Sequence, residues 1–109
     1  MAITYKVLAQ SAPSATTNTD VYTVGASKQT TISTITVCNR SATSATYRIA
    51  VRPNGDTLAN EHYIAYDAAV PANDTIALTI GVTCDAADVV TVYASTANLS
   101  VNIFGAEIA

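Results

Sequence analysis

Period-two alternation recurs along this chain, and it confines the fold more tightly than any other feature. In "TYRIAVRP" (Thr46 to Pro53), Tyr47, Ile49 and Val51 share one parity, while Arg48, Ala50 and Arg52 share the other. Such alternation marks a strand with one buried and one outward face. The same pattern predicts inward sets at Ile76, Leu78, Ile80; Val90, Val92, Ala94; and Leu99, Val101, Ile103. No segment carries a convincing helical period. The predicted strands are 3–10, 20–24, 30–40, 45–52, 62–68, 74–81, 88–95 and 98–107, separated by clusters of Gly, Pro, Asn, Asp, Ser and Ala. Strands at this spacing predict an all-β, antiparallel β-sandwich of seven to eight strands, jelly-roll or immunoglobulin-like.

Three local features qualify that reading. In "TTISTITVCNR", Ile32 and Cys38 have the opposite parity from Ile35 and Val37. Either a bulge lies near Ser33–Thr34, or both faces of the strand are covered. The stretch "RPNGDTLANEH", with its Asn54–Gly55 turn signal, is too long for a tight hairpin and reads as a crossover or a projecting contact loop. "SAPSATTNT" (Ser11 to Thr19) is polar and turn-rich, so residues 1–19 are expected to form an N-terminal strand or arm plus linker within a single domain, 1–109.

Composition narrows the function classes. Half of the 109 residues are hydrophobic and only 12% are charged, which excludes a disordered chain. Polarity comes mostly from Thr, Ser and Asn. That suits either a sheet covered by partners or a Thr-rich solvated surface, and the scarcity of charge favours the former. A net charge of −3 argues against binding to nucleic acid or to an anionic membrane surface. No apolar run reaches transmembrane length, and "MAITYKVLAQ" lacks the plan of a signal peptide, so synthesis in the cytoplasm is expected.

Chemistry-bearing motifs are few. His62 is the single histidine, set beside Glu61 in "NEHYIAYD", and reads as a surface or interface residue rather than a catalytic one. Asp85 and Asp88, or Asp56 with Glu61, could offer oxygen ligands to calcium, but turn capping explains them more economically. Cys38 and Cys84 lack metal-ligand spacing. Paired, they would close a loop of about 46 residues, worth roughly 4 kcal/mol. In a reducing cytosol free thiols are the expectation, with Cys38 as a small core residue. No enzyme activity, cofactor or metal is expected. A carbohydrate-binding module is an alternative, but it would need an aromatic platform from six tyrosines and no tryptophan.

The stretches "YKVLAQSAPSATTNTDVYTV", "TVCNR", "TYRIAVRP", "HYIAYD", "DVVTVYAS" and the closing "FGAEI" together resemble small all-β virion proteins of tailed bacteriophages, over nearly the whole chain. Departures are "YTVGASKQT", where similar sequences read Pro-Ala-Gly, and Cys84, where they carry an aliphatic residue or Thr. The resemblance implies a non-enzymatic virion subunit present in many copies. It would be a capsid decoration or cement protein contacting the major capsid protein, or else a neck, collar, tail or baseplate component. It also implies a homo-oligomer, with a trimer favoured, and interface candidates Arg40, Arg48, Arg52, His62 and Asp67. Arg48 and Arg52 would then face a neighbouring chain or an acidic cross-strand partner such as Asp67, or else remain solvated edge charges.

Overall fold

A computed structural model describes residues 2–109. The described residues fold as two packed antiparallel sheets built from nine strands. These are β1 (Ile3–Ser11), β2 (Thr19–Thr23), β3 (Gln29–Asn39), β4 (Ala45–Arg52), β5 (Tyr63–Val70), β6 (Thr75–Leu78), β7 (Val82–Cys84), β8 (Val89–Ala94) and β9 (Leu99–Ile108). One sheet runs β1-β9-β3-β6, with β7 also on β3; the other runs β2-β8-β4-β5.

The pairing is that of one long hairpin rolled up: β1 meets β9, β2 meets β8, β3 meets β6 and β7, and β4 meets β5. Of the two expected sandwich plans, this is the jelly roll. The ninth strand arises because the predicted strand 74–81 is shorter, and a separate strand follows it. β6 pairs with Ile35–Cys38 and β7 with Thr30–Ile32, and between them Gly81 takes φ +64, a left-handed turn that interrupts the edge. Ile80 therefore falls outside both strands and is 56% exposed, which corrects its predicted inward place.

The core lies between the sheets. Tyr47, Ile49, Val90, Val92, Ala94, Leu99, Val101 and Ile103 are all buried there, as their alternation requires. Fully burying an aliphatic side chain of this kind stabilises by about 1.5–3 kcal/mol. Ile32, Ile35 and Val37 join the same core despite their parity conflict. The register between β3 and β9 shifts between Ile32 and Thr34, so a bulge at Ser33 turns both segments inward. Cys38 remains on the outer face and is only half-buried, whereas Cys84 is buried in the core; the expectation for Cys38 is corrected accordingly. Both thiols are free.

"RPNGDTLANEH" is not a crossover. It joins the neighbouring strands β4 and β5 through two short 3-10 turns and forms the tip of the rolled hairpin. At the other end, the first and last strands pair along their length, and Ala2 and Ala109 exchange both backbone hydrogen bonds (3.0 and 2.9 Å). Residues 3–11 are thus an edge strand of the sheet rather than a detached arm.

Candidate functional site

The outer face of β2-β8-β4-β5 gathers most of the charged and aromatic side chains singled out in the sequence. β4 supplies Arg48 and Arg52 on its outward parity, and in the ladder Arg48 stands opposite Tyr93 and Ala50 opposite Thr91. On the other flank, Tyr47 pairs with Ala68 and Ile49 with Ala65, so the single residue Arg48 faces both Tyr66 and Asp67. Asp67 accommodates this bulge with φ +49, a left-handed conformation that aspartate tolerates better than most residues.

The bulge brings two acceptors to one guanidinium. Arg48 Nε donates to Asp67 Oδ1 at 2.7 Å and Nη2 to Oδ2 at 3.4 Å. The guanidinium carbon also lies 4.3 Å from the ring centres of both Tyr66 and Tyr93, so the group sits between two aromatic faces. Tyr63 packs edge-on against Tyr66, with ring centres 4.9 Å apart. The hydrogen bond to Asp67 holds the Arg48 pKa above its ordinary value. The patch ends at Tyr66, which remains 57% exposed.

Arg52 occupies the same face but does a different job. Its Nη2 donates to Asp20 Oδ1 (2.9 Å), its Nε to Thr91 Oγ1 (3.0 Å), and its Nη1 to the carbonyls of Gly55 (3.2 Å) and Asp56 (2.8 Å). Thr91 closes the network by donating to Asp20 Oδ1 at 2.8 Å. One arginine thus ties the β4–β5 tip to β8 and to the edge strand β2.

Arg40 and His62 do not join either cluster. Arg40 Nη2 donates to the carbonyl of Ala97 (2.9 Å), clamping the turn that precedes β9. His62 Nδ1 accepts from the Ala59 backbone N–H (3.0 Å) and closes the turn ahead of β5. Of the acidic residues considered for calcium, Asp85 and Asp88 act as turn caps: Asp88 accepts from the backbone N–H groups of Asn54 and Asp85, and Asp85 from that of Ala86, all at 2.8 Å. Among the described residues, no three His, Cys, Asp or Glu side chains converge on one point.

Tyr93 and Asp20 were absent from the candidates drawn from sequence. Tyr93 carried a usable signal, since the inward parity of Val90, Val92 and Ala94 places Thr91 and Tyr93 outward. Asp20 carried none, because its partner depends on which strand lies beside β8. No family model, curated protein or solved structure matches this chain.

Proposed function

We propose that this chain is a non-enzymatic structural protein of a tailed-phage virion that binds preassembled phage structure, with capsid decoration ahead of neck or tail attachment. The observation that carries the binding half of this reading is the Tyr63–Tyr66–Arg48–Tyr93 patch. Tyrosine and arginine are the residue types enriched where protein interfaces concentrate their binding energy. Here Asp67 holds the arginine in place before any partner arrives, so little side-chain freedom remains to be lost on binding. The guanidinium already occupies one face of the Tyr66 and Tyr93 rings, which favours a protein surface over a sugar ring stacked on a bare platform. The virion half rests on the sequence resemblance.

The test is incorporation into purified particles, with copies counted per virion. Hundreds of copies point to the shell or a tail-length array; a few dozen or fewer point to neck or baseplate. Arg48→Ala combined with Tyr66→Ala should lower incorporation, while Lys28→Ala should not. A protein abundant in infected cells but missing from particles overturns the reading, and so does glycan binding that depends on Tyr66.

A further inference from the structure

Four strand edges bound the two sheets, and three of them are blunted against pairing. β5 is kinked by the Asp67 bulge and carries that charge; β2 has five residues, a register shift after Asp20 and an exposed carboxylate; β6 and β7 are four and three residues long, parted by Gly81. These are familiar protections of an edge strand. β1 is the least protected over Ile3–Val7: its single register shift comes after Val7, it contains no proline, and its sole charge, Lys6, is drawn onto Glu107 of the neighbouring strand.

The register of β1 against β9 shows what this edge presents. Because Ala2 and Ala109 exchange both backbone hydrogen bonds, so do the pairs Thr4–Glu107 and Lys6–Gly105 in the alternation of an antiparallel ladder. The N–H and C=O groups of Ile3, Tyr5 and Val7 therefore point away from β9, toward the open edge. The side chains of the same three residues are exposed, Tyr5 at 84%, and continue the apolar surface of Phe104 on β9. Free backbone groups and exposed apolar side chains thus coincide on three alternate residues.

We propose that a second copy of this chain occupies the edge, β1 pairing with β1 about a two-fold axis through Tyr5. Tyr5 then stands opposite Tyr5, Ile3 opposite Val7 and Thr4 opposite Lys6, joining the two sheets into one. This register alone matches Ile3, Tyr5 and Val7 with the same three residues of the copy, and charge excludes the next one along. Sliding the pairing to centre on Lys6 would set two lysines directly opposite, which destabilises a strand pair. Centring on Tyr5 keeps the lysines apart and places each opposite Thr4 of the other copy, the residue whose own neighbour on β9 is Glu107. Lys6 is already neutralised by Glu107 at 2.9 Å, so the edge approaches its copy without an unpaired charge. The contact is isologous and closes on itself. Three side chains per copy cover less than the roughly 1,600 Å² of a standard stable interface, so pairing is weak and depends on concentration. The inference stands whether or not the protein is carried on a virion.

Sedimentation over a rising concentration series tests it. The wild type should move from 11.3 kDa toward twice that mass at high micromolar concentration. Tyr5→Glu, with its side chain exposed in the monomer, should keep the native circular-dichroism spectrum and stay monomeric, while Tyr66→Glu should dimerise as the wild type does. In a Cys38→Ser background, Tyr5→Cys should cross-link under oxidation, because residues paired by hydrogen bonds across such strands lie about 5.5 Å apart at Cα; Thr4→Cys should not. A wild type monomeric throughout, or an association indifferent to Tyr5→Glu, overturns the proposal. A monomer whose incorporation into particles nevertheless requires Tyr5 also overturns it, assigning the edge to a foreign strand.

Discussion

Arg48 faces Tyr93 across the β4–β8 ladder, with its guanidinium carbon 4.3 Å from the centre of that ring, and Asp67 grips the same group from β5. Three strands thereby converge on one side chain, yet two of its three neighbours are exposed enough for water to compete. Arg52, two residues along the same strand, has four acceptors and a side chain that is only 16% exposed. The two arginines share a face and differ in what they are for.

Stability measurements should separate them. Arg52→Ala removes four hydrogen bonds together, the part-buried one to Thr91 and three at the surface to Gly55, Asp56 and Asp20, and should cost about 1–2 kcal/mol. Arg48→Ala should shift the urea midpoint less, because its hydrogen bonds all go to one half-exposed partner, Asp67, whereas those of Arg52 tie the β4–β5 tip to two other strands. Equal midpoints for the two variants would refute this division between a strut and a contact residue.

Gly105 and Gly81 make a matched pair of backbone tests. A Cβ on Gly105 would collide with the carbonyl oxygen of Thr31, in the backbone of the neighbouring strand β3. Nothing lies within 4 Å of a Cβ on Gly81, whose demand is conformational, φ +64. Gly81→Ala should cost about 1–2 kcal/mol, the strain of a left-handed residue. Gly105→Ala should cost more, about 3 kcal/mol or beyond, since strand backbones must part. Denaturant midpoints in the reverse order would contradict the close approach of β3 and β9.

Much of this fold was legible because alternation reports burial strand by strand. The conflict of parity between Ile32 and Ile35 allows either a bulge near Ser33–Thr34 or a strand covered on both faces, and the register of β3 on β9 shows the bulge. Asp67 is one of several partners the resemblance offers the two arginines, beside a neighbouring chain or solvent; Arg48 takes it, and Arg52 takes Asp20 instead. That choice hangs on β2 lying beside β8, a contact between residues 71 positions apart that no local pattern encodes. Ile80 misled for a related reason. Its parity continues that of Ile76 and Leu78, but the strand stops at Leu78 ahead of the left-handed Gly81, and alternation carries no information once the strand has stopped. His62 and Arg40 drew notice by residue type alone, and each turned out to serve a nearby turn.

The two thiols should react on different timescales. Burial, helped by the Asp88 carboxylate, pushes the Cys84 pKa up to about 11, so thiolate is scarce at neutral pH, and the core shields the sulfur besides. Cys38 is half-exposed on the outer face of β3. A thiol-specific chromogenic reagent at pH 8 should titrate one group promptly in the folded protein and a second only in denaturant. Two prompt thiols would place Cys84 outside the core.

Lys6 and Glu107 close the β1 end of the sandwich, and their pairing links stability to acidity. The hydrogen bond from Lys6 is the main cause that lowers the Glu107 pKa below the ordinary glutamate value, with the Tyr22 hydroxyl adding a second donor at 3.1 Å. Because the folded-state value is the lower one, unfolding takes up a proton as the pH falls. The contribution is therefore fully present above the unfolded value of 4.5 and is lost as pH descends through the folded one. The slope of stability against pH below 4.5 should accordingly be shallower in Glu107→Gln than in the wild type, with the two curves parallel at neutral pH. Lys6→Met should flatten the same window by removing the principal donor. Acid profiles for both variants that run parallel to the wild type below 4.5 would show that Glu107 titrates alike in the folded and unfolded chains, and the Lys6–Glu107 bridge would then hold no pH-dependent share of this fold.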